Sequence, residues 1–401
     1  MINLSQSTLD FIRLHAHDDI HTLALQAARY PDIDMPMAIT QIAGRQIAAY
    51  KIPSWQKNEN LLYPRHLSLE QCSSEITARY KASLIEGNSL ADLTGGFGID
   101  CAFLSPKFQK ATYVERQKEL CEIAAHNFPL LGLQHITIYN DDSVSHLQQM
   151  EPVDCIFIDP ARRNEHGGKT VAISDCEPNV AELEKLLLEK GHKVIIKLSP
   201  MLDLTLALRN MQHTREVHIL SVNNECKELL LILSKEPKTE IPIFCINLTV
   251  KEQTSFVFTR EKEQISECTY TETVGTYLYE PNASILKAGA FRSIASSFNV
   301  KKLHPNSHLY TSDEYVKCFP GRIFLVTGQC SFNKKEIKRM LGDIKKANIT
   351  VRNFPATVAE VRKRTQLSEG GEVYLFATTL ANEQKILIRC SKIQENLATE
   401  N

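Results

Sequence analysis

Apolar and polar positions change their rhythm twice along the 401-residue chain. Up to about residue 60, apolar residues recur at helical spacing, as in "TLALQAARY" and "MAITQIAGRQIAAY", punctuated by Pro31, Pro36 and Pro53. This predicts an N-terminal helical segment, residues 1–62. From 63 to 235, short apolar runs alternate with helical stretches. "SLADL", "ATYVE", "HITIYN", "VDCIFID" and "KVIIKLS" read as strands, with "RQKELCEIAAHNF" and "NVAELEKLLLEKG" as helices between them. Such alternation builds a parallel sheet with helices on both faces. "EVHILSV" and "ELLLILS" follow each other through a short turn, which predicts an antiparallel hairpin at the end of the sheet.

Residues 236–318 are less regular and read as a small connecting α+β module. Within it, "YEPNASILKAGAFRSIASSF" predicts one helix entered through Pro281, where a missing N–H costs nothing. Residues 319–401 give strand "RIFLVTG", helix "KKEIKRMLGDIKKA", strand "ITVRNF", helix "TVAEVRKRT" and strands "EVYLFATTL" and "KILIRC". The expected class is α/β, with a Rossmann-like sheet, a helical N-terminal segment and C-terminal α+β modules.

Composition narrows the function. The chain is 43% hydrophobic and 23% charged, which suits a globular protein with a sizeable core. A net charge of −1 excludes polyanion binding by the chain as a whole, so a nucleic-acid site must come from local clustering. The eleven cysteines include no CxxC pair, and the thirteen histidines are scattered without HExxH, so no metal site is expected. No apolar run approaches the ~20 residues that span a bilayer. The first residues lack the basic and apolar regions of an export signal. A cytoplasmic protein with reduced thiols is expected.

The stretch with the clearest chemistry is "LADLTGGFGID", residues 90–100. Asp92 closes a strand, and Thr94-Gly95-Gly96-Phe97-Gly98 turns toward a helix. Ligands bind where the strand order of such a sheet reverses. Glu115 ends the second strand, where an acid can bond ribose hydroxyls, and Asp141 and Asp142 end the third, where a carboxylate can accept from an adenine amine. Each acid taken alone could instead be a solvated strand end or a helix N-cap. A dinucleotide turn would need a third glycine where Asp100 or Cys101 stands, and Asp92 would repel a phosphate. S-adenosylmethionine (SAM) carries an ammonium and no phosphate, so the turn suits SAM better. "GGKT" at 167–170 lacks the earlier glycine of a phosphate loop, because Arg163 stands there.

The fourth strand runs into Asp159-Pro160-Ala161-Arg162-Arg163. Proline stops the strand, and the Asp159 side chain with the next carbonyl could hold a target amine beside a methyl donor. Arg162 and Arg163 could contact phosphate, stack on a base or remain solvated. The polar segment 163–179 reads as a lid. Lys197, at the end of the fifth strand, is a candidate substrate contact or a charged strand end. Cys155 and Cys176 lack the surroundings of a nucleophilic thiolate.

"DLTGGFGID", "YVE", "NDDS" and "DPAR", in this order, resemble the motifs of class I SAM-dependent methyltransferases, with Thr94 in place of the first glycine. "YPRHLSLEQCSSEITARYKA" (63–82), "YLYEPNASILKAG" and "LSEGGEVYLFATTL" resemble bacterial members that carry a C-terminal THUMP-like domain. The resemblance implies a SAM-binding domain (63–235), a ferredoxin-like module (236–318) and an RNA-binding THUMP-like domain (319–401). It implies cofactor contacts at Gln71, Ser73, Asp92, Thr94, Gly95, Gly96, Gly98, Glu115, Arg116, Asp141, Asp142 and Ser143. The reaction centre falls on Asp159, Pro160 and Arg162. Ala161 and Arg162 stand where amino-methylating relatives carry a base-stacking aromatic, which leaves the target atom open.

Charge adds an independent pointer to RNA. Residues 331–365 hold ten Lys or Arg against three acids. Arg163, Lys197, Lys338, Arg339, Lys345, Lys346 and Arg352 are the candidate RNA contacts. The leading expectation is a SAM-dependent methyltransferase acting on structured RNA. The alternatives are a methyltransferase for a small molecule or protein, and a non-catalytic RNA-binding protein that keeps SAM.

Overall fold

The computed structural model describes residues 4–162, 173–236 and 238–393. The chain forms two compact units, residues 1–217 with 228–239 and residues 218–227 with 240–401. Among the described residues, no helix is long and apolar enough to cross a membrane.

The first unit begins with helices Gln6–Leu14, Ile20–Leu25 and Met35–Lys51, each N-capped by a side chain: Ser5, Asp19 and Asp34 respectively. Its sheet is built from β1 (Ser89–Asp92), β2 (Lys110–Val114), β3 (Ile136–Tyr139), β4 (Val153–Ile158) and β5 (Gly191–Leu198). These pair in parallel, in the order β3-β2-β1-β4-β5. The chain runs outward from β1 to β3 and then returns to lay β4 on the other side of β1. All four β1 residues are buried, as a strand covered on both faces requires. A hairpin, β6 (Thr214–Val222) and β7 (Glu225–Leu233), follows, and β7 runs antiparallel to β5, but the hairpin does not end the sheet as expected, because strand Ile243–Leu248 lies beside β6 and carries the sheet on. Its two-residue turn, Asn223-Asn224, has φ of 51° and 64°, the left-handed pair that matches strand twist.

The second unit contains the antiparallel pair Ile243–Leu248 and Gln253–Phe258. It also contains a seven-stranded sheet in which Tyr277–Pro281 pairs with Gly321–Ser331. The single helix expected over 279–298 is not formed. Pro281 closes a strand instead, and two helices follow, Ala283–Ala288 and Phe291–Phe298, parted at Gly289 with φ +78°. The helix expected over 334–347 stops at Leu341, because Gly342 adopts φ +54°. The chain beyond it is held by backbone bonds between Lys345, Ala347 and Ser368.

Candidate active site

The reversal of strand order leaves the carboxyl ends of β1 and β4 side by side, and both carry predicted site residues. Asp92 ends β1, while Asp159 and the buried Pro160 follow β4. Two bonds fix these ends to each other. Leu93 N donates to Phe157 O at 3.0 Å, and the Asp159 N–H donates to Thr94 Oγ1 at 2.6 Å. Thr94 thus positions the bend that presents Asp159.

The three glycines of the turn have different reasons to be there. A Cβ on Gly95 would fall on the ring of Tyr113, a fully buried side chain whose hydroxyl donates to Gly96 O at 2.5 Å. Gly98 caps helix Ile99–Leu104 with φ +87°, and its Cβ position lies 3.0 Å from Phe128. Gly96 has φ +54°, and a Cβ there would meet nothing closer than Thr94 O at 3.9 Å. Gly96 is therefore where the turn leaves its backbone open to a ligand.

Glu115, 8% exposed, holds that backbone in place. One carboxylate oxygen accepts from Gly96 N at 2.9 Å and the other from Gln117 N at 2.8 Å. Arg116 is exposed and pairs with Glu177 at 3.1 Å. Asp141 accepts from Asp142 N, and Asp142 caps helix Ser143–Gln149 by accepting from Val144 N and Ser145 N, each at 3.0 Å. Ser143 is the first residue of that helix. Asn140, passed over in the sequence, donates to Glu115 O and Arg116 O and so ties the ends of β2 and β3 together. Its only signal was an amide lying between a strand and two acids.

A buried ionic cluster lies behind Asp159. The Lys197 ammonium is 2.5 Å from Asp159 Oδ2, 3.1 Å from Ser73 Oγ and 3.4 Å from Asp100 Oδ2. Lys81, on helix Glu75–Ala82, is 2.8 Å from Ser73 Oγ, 2.9 Å from Asp100 Oδ1 and 2.6 Å from Glu228 Oε2. Ser73 completes the cluster by donating to Asp100 Oδ2 at 2.7 Å. Burial pushes the Asp100 carboxyl up, but Lys81 and Lys197 outweigh it and bring the pKa down to about 2. Burial also opposes the Lys197 charge, yet Asp159 and Asp100 hold its pKa well above the ordinary value. Burial raises the Asp159 carboxyl, against the pull of Lys197. Asp92 is fully buried, its Oδ2 has no hydrogen-bond partner among the described residues, and burial followed by Asp100 pushes its pKa well up.

Gln71 is exposed at the end of helix His66–Gln71. Arg163 and most of the expected lid lie outside the described residues, as does the side chain of Arg162. Cys155 and Cys176 are buried, and burial lifts the Cys155 thiol to about 12, so no thiolate forms there at neutral pH. A groove of about 540 Å3 lined by Trp55, Arg79 and Phe103 shares no lining residue with the predicted site.

The chain superposes on the crystal structure of a protein from Porphyromonas gingivalis W83 named as a methyltransferase. The TM-score is 0.86 over 98% of this chain and 100% of the other, at 34% sequence identity. This chain belongs to that methyltransferase family. Other solved structures align only in part. An rRNA methylase from Streptococcus thermophilus matches 40% of this methyltransferase-family chain and 93% of its own length, with 14% identity and a TM-score of 0.29. TrmK of M. capricolum, in complex with S-adenosyl-homocysteine (SAH), matches 40% and 69%, with 15% identity and a TM-score of 0.32. Comparison with curated proteins returns no match.

In its second unit, the methyltransferase-family chain matches the family model of a ferredoxin-like domain over residues 277–320 and that of a THUMP-like domain over residues 321–392. Both matches share the one seven-stranded sheet. Lys338 and Arg339 are exposed on helix Lys334–Leu341, while Lys345 and Lys346 are exposed in the segment after it. Arg352, predicted to meet RNA, pairs with the buried Glu280 at 2.9 Å, and Glu280 also binds Arg322. Lys197, also predicted to meet RNA, is buried in the ionic cluster described above.

Proposed function

We propose that this methyltransferase uses SAM to methylate a base in structured RNA. One observation carries the reading: the Asp92–Gly98 turn, Glu115 and the Asp159–Pro160 bend converge at the strand-order reversal. The residues fit the cofactor on two counts. Asp92 Oδ2 is buried without a partner among the described residues, which suits a cationic group, and Gly96 leaves its backbone open. Asp92 would then serve the ammonium end. Glu115 would serve the ribose with the lone pairs left by its two backbone bonds, and the Asp142 oxygen not used in capping would serve the adenine amine. When bound, SAM supplies a methyl group on a sulfonium centre.

The chain's own task is alignment. Asp159 accepts a hydrogen bond from the N–H of the acceptor, and the Pro160 carbonyl accepts a second. Fixing the nucleophile in line with the methyl group supplies several kcal/mol of the barrier by about the measure of other intramolecular alignments. The exposed cations of the THUMP-like domain support RNA as the acceptor, by phosphate contacts that carry no sequence information. An unpaired nucleotide is the favoured target, because unstacking a paired one costs a few kcal/mol.

The test is mass spectrometry of nucleosides from cells with the protein, without it, and with Asp159→Ala in its place. One methylated nucleoside should be missing in the last two. Identical nucleoside profiles in all three would remove RNA as the substrate.

A further inference from the structure

We propose that Lys197 is a positioning residue for methyl transfer, holding the Asp159 carboxylate ionised and aimed, with Ser73 and Asp100 as its anchors. This rests on the reading of Asp159 as the group that binds the methyl acceptor.

The argument starts from donors and acceptors. A lysine ammonium has three N–H donors and no acceptor. Lys197 has three acceptors around it: Asp159 Oδ2, Ser73 Oγ and Asp100 Oδ2. No donor remains for an RNA phosphate, and the residue is 8% exposed. Lys81 is filled in the same way by Ser73, Asp100 and Glu228. The Ser73 hydroxyl accepts from both lysines and donates to Asp100, so its own capacity is complete. Such a closed network fixes the geometry of each member.

Asp159 is the exception. Its side chain is 34% exposed, and Lys197 engages Oδ2 while leaving Oδ1 unclaimed by the ammonium. The cluster is therefore buried at one end and open at the end that carries the acceptor-binding acid. An ionised carboxylate is the stronger acceptor for a target N–H and cannot turn a competing O–H toward it, and burial works against ionisation at this position. Among the described residues, the charged groups around Asp159 are Lys197 on β5, Lys81 on helix Glu75–Ala82, Asp100 on helix Ile99–Leu104 and Asp92 at the end of β1. Of these, Lys197 is the cation in direct contact. It also links Asp159 to Ser73, in the segment before β1, so the acid's orientation depends on that segment being in place.

The experiment uses the full-length protein, tritiated SAM and total RNA from cells lacking the protein. Single-turnover rates are followed against pH. In Lys197→Met the acidic limb of the profile should move up by about 1–3 pH units, the range for losing an adjacent opposite charge. SAH affinity and the salt slope of RNA binding should not change. Lys197→Arg should keep the limb at its wild-type pH.

If Lys197→Met does not fold, the double variant Lys197→Met/Asp159→Asn removes the stranded carboxylate as well. It should be no slower than Asp159→Asn alone, because Lys197 acts only through Asp159. A limb that stays at the wild-type pH in Lys197→Met, a flatter salt slope, or a double variant far slower than Asp159→Asn overturns the proposal. A wild-type protein that transfers no methyl group overturns the functional reading itself, which is a separate outcome.

Discussion

Replacing Glu115 by glutamine separates the two tasks that this side chain is given. The carboxylate accepts from Gly96 N at 2.9 Å and from Gln117 N at 2.8 Å, using one oxygen for each. A glutamine has one carbonyl oxygen, and its amide nitrogen cannot accept. One backbone N–H therefore loses its partner and faces a donor. Hydrogen bonds to charged groups contribute about 1.5–3 kcal/mol, so Glu115→Gln should destabilise the first unit by roughly that much. Trp55, the chain's single tryptophan, reads this directly. It is buried, and its ring packs edge-on against Phe97 of the same turn at 5.5 Å. Urea unfolding followed by tryptophan fluorescence should show the midpoint lowered by roughly 1 M. Calorimetry should show SAH binding about tenfold weaker or worse, from the lost ribose contact and the loosened turn. An unchanged midpoint would mean that Glu115 does not hold the turn. An unchanged SAH affinity would remove it from the cofactor site.

Asp92→Asn should stabilise the protein at neutral pH while weakening SAH binding. Burial raises the folded-state pKa of Asp92 above its unfolded value, so the unfolded chain ionises first as pH rises and the folded state loses stability. The advantage of the variant should vanish as pH falls to the ordinary carboxylate range near ~4, and urea midpoints at several pH values check this. Changing Lys338, Arg339, Lys345 and Lys346 to Glu should weaken RNA binding and lower its salt slope by roughly one unit per lost contact, measured by fluorescence anisotropy. An unaltered slope would mean that these cations are only solvated. Gly95→Ala should cost about 1–3 kcal/mol of stability by overpacking, and Tyr113→Leu in the same chain should restore part of it. Independent, additive losses would show that the Tyr113 ring is not what excludes a side chain there.

The strands of the first sheet were readable because burial on both faces makes each an unbroken apolar run, with the acids held at its ends. The convergence of Asp92 and Asp159 followed from the strand order that such a run of elements builds. What stayed hidden depends on partners distant in sequence. Lys81 and Glu228 form a buried pair across 147 residues, and no local pattern announces either. Lys197 and Arg352 read as free cations, yet Asp159 and Glu280 already claim them. Gly95 read only as a cofactor contact, and the Tyr113 ring lying where a Cβ would stand gives it a packing reason that no local pattern announces. Local geometry also overruled propensity. Pro281 suits the first position of a helix, but its strand pairs with Gly321 and the helix begins two residues later.

Transfer of tritium from methyl-labelled SAM to RNA taken from cells that lack the protein tests the central claim most directly. Wild-type protein should label one nucleoside in the nuclease digest. Asp159→Ala, which removes the acceptor oxygens, should label none while binding SAH as tightly as wild type. Labelling by Asp159→Ala at the wild-type rate would contradict the assignment of the β4 end as the reaction centre, and absence of label with wild-type protein would contradict RNA methylation itself.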